Sequence, residues 1–552
     1  MKPLVIYPES FSVKPNTEST VNLRNLFNTT AQTAVNKNLT LMTGNYVFCS
    51  KNAAEREIYI SNTIAPNEYE KGVKPNIRKC AIVIENVKNM DIDCCNSNFI
   101  MDGEMTHLLI KNCENIKIKN LNIETVNPNV HKITVLKASA FYVTFKVDDT
   151  GKFVEENGNC YWYGTDYKMN LTDFRNNSWM VTATQDNYNH TTRSMHPLHG
   201  VASIKPVSER VFNARFITPK DFEVGQVFYV YPAIRKEVGI VIDSSDKITL
   251  ENVKQTFNYG FGLVAQNSKN ITLDSIDFSP NPNTDVELCS FADFLHFSMC
   301  RGKIKVIDSN FDASGDDACN VHGINFKIVK ADKNKMTVKF CHPQTYGLDC
   351  INDGDMLAFI DPKTLQDVAT TKVIHATLRD EYYYDLELAT YEPPMGPGGI
   401  VENLSVNPDF EYTGNTINRV VTRGVLATTR GRIRIENNRF LNTGMSGILI
   451  SDDASDWYES GPVRDVIIRG NAFMNCEENA ILIKPETRRY AGAVHQNILI
   501  ENNLFVLNNI YGVNVCNAEN VTLKDNVYKG RPLNGKWVLA RNTENLLTDC
   551  PK

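Results

Sequence analysis

The sequence lacks several features that would narrow its function at once. Its 552 residues contain no apolar run of roughly 18 or more, so no segment is predicted to span a membrane. The net charge of -6 is spread along the chain without a basic block, which argues against nucleic acid as a partner. The start, MKPLVIYPESFSVKP, has no apolar stretch long enough for a signal peptide. From these residues the compartment stays open.

Zinc-binding patterns are also missing. The 14 cysteines follow no regular spacing, and neither a CxxC pair nor a His-rich spacing occurs. Cys94 and Cys95 are neighbours, and on a strand they would point to opposite faces, as small core residues rather than a bridge. We therefore predict no metal site.

What the chain does contain is a recurring strand pattern. A polar lead is followed by I-x-I or I-x-L, then by Asn and another aliphatic or aromatic residue, as in NCENIKIKNLNIET, TRGRIRIENNRFLNT and HQNILIENNLFVLN. The spacing is 23 residues from Ile248 to Ile271 and from Ile498 to Val521, and 33 from Ile271 to Ile304 and from Ile433 to Val466. Such repeats indicate a solenoid with short strands in each unit.

The period of the apolar residues identifies the kind of solenoid. It is two rather than 3.6, which excludes helical repeats, and no L-x-x-L-x-L frame supports a leucine-rich repeat. The Asn after each strand suits a turn, and stacked copies of it would form a ladder. The sequence therefore predicts an all-β protein, a right-handed parallel β-helix (solenoid). A helix within the first ~50 residues is expected to cover its open end.

The repeat is interrupted twice by longer strands and hairpin turns such as VDDTGKF. Both interruptions are interpreted as inserted antiparallel β modules, small barrels that project from the coils. The predicted domains are an N-terminal cap with the first coils (1–136), an inserted module (137–232), central coils with an Asp cluster (233–325), a second inserted module (326–404) and C-terminal coils (405–552).

Three aspartates in the central coils are the candidate catalytic residues: Asp293, Asp316 and Asp317. Asp293 and Asp316 are 23 residues apart, one coil step, so the sequence predicts that they stack directly on adjacent coils. A bend at Ser314-Gly315 would let Asp317 share the same face. Three close carboxylates raise at least one pKa, and an acid beside carboxylates is the chemistry of glycoside hydrolysis.

Other interpretations of the Asp pair stay open. Asp-Asp pairs are common in turns, and Asp and Asn oxygens are the ligands of Ca²⁺. Asn320 and His322 follow the pair and are candidate substrate-binding residues. His322 favours sugar chemistry over calcium, although a lone His is more often a structural hydrogen-bond donor.

A second polar constellation occurs in GMSGILISDDASDWYESGPVRDV, which interrupts the later coils. Trp457 offers a flat apolar ring for a sugar, and the neighbouring carboxylates suit hydroxyl groups; the alternative is a loop that folds over its own coil. His342 and Gln344, from CHPQTYG in the second module, would wall one end of the groove. The candidate substrate-binding residues here are Asp452, Asp453, Trp457, Glu459, His342 and Gln344.

Three stretches together resemble glycoside hydrolase family 110: FADFLHFSMCRGKIKV with SGDDACNVHG, CHPQTYG, and NTGMSGILISDDASDWYESGPVRDVIIRGN. The resemblance covers about residues 80–530 and implies a β-helix with inserted barrels. It also implies an exo-acting, inverting α-1,3-galactosidase that needs no cofactor and acts on oligosaccharides or glycoconjugates with terminal α-galactose, blood group B type or linear. Export to the periplasm or beyond is implied in the same way, with a cytoplasmic location still open and a homodimer a further possibility.

A more distant resemblance is to polygalacturonases, which have an Asp one coil before a Gly-Asp-Asp. It suggests Asp317 as general acid, with Asp293 and Asp316 activating water. Inversion predicts acid and base carboxyls roughly 6.5–9.5 Å apart. Two rival functions are a pectin-type hydrolase and a non-catalytic glycan-binding β-helix. Acidic sugars need a basic subsite, and the cations noted in the groove strands (Arg301, Lys303 and Arg430) resemble those that decorate every coil.

Overall fold

A computed structural model describes residues 3–549 except positions 32, 34, 66–75, 127, 129, 148–151, 157–158, 164–167, 171–176, 183–199, 209, 233–234 and 285. Three parallel sheets, here called sheets 1, 2 and 3, wind around one continuous apolar core. This is the predicted parallel β-helix. No helix among the described residues is long and apolar enough to cross a membrane.

The strands of each sheet stack coil upon coil, and five long strands bend from one sheet into the next. Sheet 1 contains Leu4–Ile6, Lys37–Thr40, Lys88–Asp102, Glu114–Val126, Asp246–Gln255, Lys269–Asp274, Arg301–Ile307, Asp409–Thr413, Arg432–Glu436, Asp465–Arg469, His495–Glu501, Val513–Lys524 and Val538–Thr548. Sheet 2 contains Thr17–Glu18, Asn45–Cys49, the second halves of Lys88–Asp102, Glu114–Val126 and Asp246–Gln255, then Asp277–Phe278, Asn310–Ser314, Thr416–Val420, Arg439–Thr443, Ala472–Met474, Leu504–Val506 and Val527–Lys529.

Sheet 3 forms the third side. It contains Ile77–Glu85, Thr106–Lys111, Glu237–Asp243, Gly260–Gln266, Leu295–Ser298, Cys319–Asp332, Val425–Ala427, Ile448–Ile450, Ile481–Ile483 and the first halves of Val513–Lys524 and Val538–Thr548. Ala54–Glu57 and Glu459–Ser460 pair with it in antiparallel fashion.

The repeat spacing read from the sequence corresponds to the observed register. Ile248 pairs with Ile271 and Ile271 with Ile304, so coils of 23 and 33 residues differ in their loops and keep their strands aligned. The predicted Asn ladder is present: Asn438 and Asn471 each accept a backbone N–H and an amide N–H from the preceding rung, at 2.8–3.1 Å. The ladder satisfies the buried polar groups at the turns and fixes the register of the coils.

Both interruptions consist of antiparallel strands. The described part of the first contains His131–Ala138, Tyr142–Val147, Lys152–Glu156, Asn159–Tyr163, Lys168–Asn170, Asn177–Thr182, Val201–Ser208, Val211–Phe216 and Val227–Pro232. Six of these strands form one antiparallel sheet, in the order Asn177–Thr182, Val227–Pro232, His131–Ala138, Tyr142–Val147, Val211–Phe216 and Val201–Ser208. The second module closes: the outer part of Cys319–Asp332 pairs in a ring with Lys335–Lys339, Tyr383–Leu388, Asp367–Leu378, Met356–Ile360 and Ile400–Asn403.

The N-terminal segment covers one end of the core, as predicted. An α-helix, Thr20–Ala31, buries Leu23, Leu26 and Phe27 against the first coils. Short 3-10 turns lie at Pro8–Phe11, Ser50–Asn52 and Leu533–Gly535. Cys94 is buried in the core and Cys95 is half-buried, and neither forms a disulfide.

Candidate active site

The candidate site lies on the outer surface of sheet 3, at the strands Leu295–Ser298 and Cys319–Asp332. Leu295, Phe297, Cys319 and Val321 point into the apolar core. Because side chains alternate along a strand, the residues between them point outward. Asp293, Asp316 and Asp317 stand just before these strands, at the point where the chain turns into the sheet.

The stacking predicted for Asp293 is wrong by one residue. Leu295 pairs with Cys319, and the Phe294 N–H donates to the Asp317 carbonyl at 3.0 Å, so this coil step is 24 residues and not 23. Asp293 therefore stands beside Asp317 in the register. The step of 23 seen elsewhere does not hold here because the strand Arg301–Ile307 contains one extra residue, at a register shift opposite Lys269 and Ile271. Ser290 accordingly pairs with Ser314, also 24 residues further on.

A local distortion brings Asp316 to the same place. Ala313 adopts φ +67°, and the Gly315 N–H donates to the Ser290 carbonyl at 2.8 Å. The Ser314 hydroxyl donates to the Asp316 carbonyl. The turn predicted at Ser314-Gly315 is present, and it lets two consecutive carboxyls line one cavity.

All three carboxyls are buried, and one oxygen from each lies within 4.8 Å of the others. Arg235 donates from Nη2 to Asp316 Oδ2 at 2.7 Å. The backbone N–H of Arg423 donates to Asp317 Oδ1 at 2.9 Å, and its Nη1 lies 3.1 Å from Asp317 Oδ2. Two of the three carboxyls thus have a guanidinium partner.

These arginines bear on the calcium alternative. A cation at the cluster would have to share Asp316 and Asp317 with the guanidinium groups that already contact them. Hydrogen-bonded arginines supply the compensating positive charge, so the residues present fit a proton-sharing site better than a Ca²⁺ cage, whose ligands are all oxygens.

Asp293 differs from the other two aspartates because it is hydrogen-bonded to a histidine and not to an arginine: His296 Nδ1 lies 2.8 Å from Asp293 Oδ2. Burial raises the pKa of Asp293 well above its usual range, and the nearby Asp316 and Asp317 carboxylates raise it further. Since Asp316 and Asp317 each contact a guanidinium group that stabilises a carboxylate, Asp293 is the member of the cluster best suited to hold a proton.

The raised pKa predicts a pH-dependent effect of Asp293→Asn on stability. Below about pH 4 the carboxyl is protonated in both the folded and the unfolded chain, so the variant gains nothing. As pH rises, the unfolded chain ionises first and the folded wild type loses stability that the amide keeps. We expect the melting temperature of Asp293→Asn to exceed that of the wild type by roughly 2 °C or more at pH 8, measured by calorimetry at pH 4, 6 and 8. A variant that melts lower at pH 8 would contradict this.

The cavity around the cluster has a volume of about 280 Å³. Its described lining carries eight carboxyl groups and two guanidinium groups. The lining residues are Asn62, Arg235, Asp293, Asp316, Asp317, Asn320, Arg423, Leu426, Thr428, Leu449, Ser451, Asp452, Asp453, Ser455, Asp456, Trp457, Glu459 and Glu486. Burial, and then Glu402, raise the pKa of Asp452. The cavity is acidic overall.

The loop at 452–459 forms one wall of the cavity. Asp453 organises it, because its carboxylate accepts backbone N–H groups from Ser455, Asp456, Trp457 and Tyr458 at 2.6–3.3 Å. Trp457 is 41% exposed and lines the cavity.

His342 supports this wall from the second module. Its ring stacks on the indole of Trp457 with centroids 4.4 Å apart. The loop therefore presents a rigid, flat apolar surface beside the carboxyl cluster.

The structure brings most of the predicted residues together. Asn320, Asp452, Asp453, Trp457 and Glu459 all line the cavity with the three aspartates.

The other predicted residues do not line it. His322 is buried beneath the surface, and its Nε2 lies 3.0 Å from His296 Nε2. His342 contacts the cavity only indirectly, because its ring stacks on the indole of Trp457. Gln344 donates its backbone N–H to His342 Nδ1 at 3.3 Å.

The two arginines of the site were not predicted from the sequence, and the cations that were considered form ion pairs outside the cavity. Arg301 pairs with Asp355 and Lys303 with Glu411, while Arg430 pairs with Glu402 and Asp367. Arg235 comes just before the first strand of the central coils and Arg423 from the coil after the second module, so no local motif contains them. The coil spacing carries one signal: Arg423 follows Asp317 by 106 residues across the inserted module.

The fold and the cluster define a class: a parallel β-helix with a buried carboxylate site on its outer face. The family described as "Right handed beta helix region" matches residues 398–550, and "GLAA-B beta-barrel domain II" matches residues 335–394, the closed barrel. A Yersinia enterocolitica family 28 exopolygalacturonase has a TM-score of 0.40 at 8% identity, covering 100% of this chain and 79% of its own.

Among curated relatives, two proteins of Bacteroides thetaiotaomicron are similar over most of the chain. Alpha-1,3-galactosidase A is 33% identical over 81% of this chain and 77% of its own length. Alpha-1,3-galactosidase B is 30% identical over 83% of this chain and 75% of its own length. The chain belongs to the α-1,3-galactosidase family.

Proposed function

We propose that the protein is an exo-acting glycoside hydrolase that releases terminal α-1,3-linked galactose from glycans, of blood group B type, linear α-galactosyl type or both. Family membership supports the class of substrate. The observation that carries the proposal is the cluster of Asp293, Asp316 and Asp317 in the cavity wall, where one carboxyl oxygen of each lies within 4.8 Å of the others.

The form of the cavity supports exo action. About 280 Å³ is at the small end of ligand sites and accommodates one or two sugar rings rather than a polymer. The loop that carries Trp457 lines one side of it, and His342 of the second module packs against the outside of that loop. A terminal residue enters such a cavity, whereas an internal residue of a long chain would need both sides open.

The mechanism requires one protonated carboxyl and one carboxylate. As the bond from C1 to the leaving oxygen breaks, the acid transfers its proton to that oxygen. A carboxylate takes a proton from the attacking water as the new C1–O bond forms, which inverts the anomeric carbon. Asp293, Asp316 and Asp317 are the proposed catalytic set, and Asn320, Asp452, Glu459 and Trp457 the proposed binding residues.

The spacing of the carboxyls favours a second candidate mechanism. The closest oxygens lie within 4.8 Å, shorter than the 6.5–9.5 Å or so of inverting enzymes and nearer to the ~5 Å of retaining ones. Against retention stands the third carboxyl, which a double displacement does not use, and the arginines that hold Asp316 and Asp317. We therefore retain inversion as the proposal, and it is testable from the product.

The linkage specificity tests the function itself. Digalactosides linked α-1,3, α-1,4 and α-1,6 and the blood group B trisaccharide are incubated with the protein, and galactose is measured by chromatography. Galactose should appear from α-1,3-linked substrates and not from the other linkages. Absence of release from every substrate would refute the proposal. Export, which the resemblance implies, stays a prediction, and the oligomeric state stays open between a monomer and a homodimer.

Trp457→Ala tests the proposed sugar platform. Loss of an aromatic surface against the apolar face of a sugar costs about 1–1.5 kcal/mol, so we expect KM to rise roughly tenfold with a smaller change in kcat. Steady-state kinetics on an α-1,3-galactoside measure this. Tyr391→Ala removes an exposed ring outside the cavity and is the matched control, expected to behave as wild type. Equal effects of the two changes would reject the platform.

A further inference from the structure

Behind the carboxyl cluster runs a buried chain of hydrogen bonds that leads away from the cavity. Asp293 Oδ2 lies 2.8 Å from His296 Nδ1, and His296 Nε2 lies 3.0 Å from His322 Nε2. His322 Nδ1 in turn lies 2.7 Å from the carbonyl oxygen of Gly323. Both imidazoles are buried, so bulk water does not supply alternative partners.

The Gly323 carbonyl, at the far end of these hydrogen bonds, fixes which atom donates in each of them. A carbonyl oxygen only accepts, so His322 Nδ1 must carry a hydrogen. If both rings are neutral, His322 Nε2 is then an acceptor, His296 Nε2 donates to it, and His296 Nδ1 is left as an acceptor facing Asp293. Burial lowers the pKa of both histidines, that of His296 to about 4, which keeps the rings neutral near pH 7.

We infer that Asp293 is the carboxyl that holds the shared proton in the free protein. His296 and His322 keep the proton there, because the Gly323 carbonyl only accepts a hydrogen bond and the two neutral rings therefore leave His296 Nδ1 as an acceptor facing Asp293. His296 and His322 are positioning residues, since neither lines the cavity. The arrangement explains how three carboxyls coexist: one is neutral, and each of the other two has a guanidinium partner.

The charged side chains around these hydrogen bonds are compatible with a protonated Asp293 carboxyl. Asp316, Asp317, Glu459 and Arg235 all face Asp293 and His296. Glu459 is the competing acceptor for His322, since Oε1 lies 3.7 Å from Nε2.

Two amides already satisfy that carboxylate. Asn62 and Asn320 each donate from Nδ2 to Glu459 Oε1, at 3.0 and 3.3 Å. His322 Nε2 remains free to accept from His296.

The consequence for catalysis rests on the proposed function. An oxygen of Asp293 lies within 4.8 Å of oxygens of Asp316 and Asp317. The proton therefore reaches either carboxylate through one bridging water, since that gap is too long for direct transfer. It can also cross its own hydrogen bond to His296 Nδ1. That transfer leaves a carboxylate on Asp293 and an imidazolium on His296, so the net charge of the pair is unchanged.

Nitrogen NMR of the full chain with ¹⁵N-labelled histidine tests the inference without any substrate. At pH 7, His322 should be the neutral Nδ1–H tautomer and His296 the neutral Nε2–H tautomer. Variants that lack each histidine assign the signals. Two other buried rings give internal references: His107 Nδ1 faces the Gln255 carbonyl oxygen, which requires Nδ1–H, and His495 Nδ1 accepts from the Val463 N–H, which requires Nε2–H.

Asp293→Asn sharpens the test, because its Nδ2–H is a donor in the place of the carboxylic proton. The inference expects the same His296 and His322 signals in this variant as in the wild type. If wild-type His296 carries hydrogen on both nitrogens at pH 7 and becomes neutral in Asp293→Asn, then Asp293 is ionised and the inference is overturned.

Kinetics give a second readout. His322→Gln can still donate to Gly323 and accept from His296, whereas His322→Leu does neither, which frees His296 to donate to an Asp293 carboxylate. We expect the alkaline limb of the kcat/KM profile to move down by about one pH unit in His322→Leu and to stay in place in His322→Gln. Equal profiles would overturn the relay, whereas inactivity of the wild type on galactosides would refute only the proposed function and leave the NMR result standing.

Discussion

Replacing Asp317 with Asn should lower kcat on an α-1,3-linked galactoside by about 10³-fold or more, because general acid or base catalysis contributes at least that much when one member of a cooperating set is lost. Asn keeps the shape and still accepts the Arg423 backbone N–H that now binds Asp317 Oδ1. The fold should therefore survive, as checked by circular dichroism and melting temperature. Initial rates of galactose release measure the loss.

Asp312→Asn is the matched control for this change. Asp312 pairs with Arg419 on the coil above, as Asp317 pairs with Arg423, but it lies outside the cavity lining. It should cost some stability, because a part-buried ion pair is lost, but no more than two- to threefold in kcat, because its carboxyl lies outside the cavity lining. If Asp317→Asn keeps more than a tenth of wild-type activity, or if the control is equally inactive, Asp317 is not catalytic.

The charge of the substrate should decide between the galactosidase and the pectin-type rival. A galactoside and the corresponding galacturonide differ only at C6, where a hydroxymethyl group is replaced by a carboxylate. We expect kcat/KM for the neutral sugar to exceed that for the acidic one by roughly 10³-fold. One added carboxylate about 4 Å from another at an effective dielectric constant near 20 costs about 4 kcal/mol.

The lining explains why arginine does not offset that cost. Eight carboxyl groups face the cavity, and the two guanidinium groups there, of Arg235 and Arg423, are already paired with Asp316 and Asp317. Parallel assays on a matched α-1,3-galactoside and α-1,3-galacturonide, with polygalacturonate as a further substrate, at two salt concentrations measure the preference. Faster cleavage of polygalacturonate would reverse the assignment of substrate class, and a preference that vanishes in high salt would show that only surface charge is involved.

The sequence was sufficient for the β-helix because period-two alternation and steps of 23 and 33 residues depend on local chain geometry. Ile248, Ile271 and Ile304 pair as the spacing predicts. The same reasoning found the three aspartates, since one coil step separates them. The prediction was wrong by one residue at Asp293, because one extra residue in the strand Arg301–Ile307 shifts the register of the coil without changing the apolar pattern.

The remaining parts of the site come from positions that no local pattern connects. Arg235 precedes the carboxyl it contacts by 81 residues, and Arg423 follows its own by 106 residues, across the second inserted module. His296 looked like an ordinary strand residue, and its role emerges only when its two ring nitrogens are seen between Asp293 and His322. Such contacts depend on how coils are stacked in space, which spacing alone does not encode.

The most direct test of the central claim is time-resolved proton NMR of the first sugar released from an α-1,3-linked galactoside. The account predicts that free galactose appears first as the β anomer and then mutarotates, because a water held by the carboxyls attacks the face opposite the leaving group. Galactose that appears first as the α anomer would show a double displacement and contradict inversion. No galactose at all, from a protein that folds and whose cavity is intact, would contradict the assignment of the three aspartates as a galactosidase site.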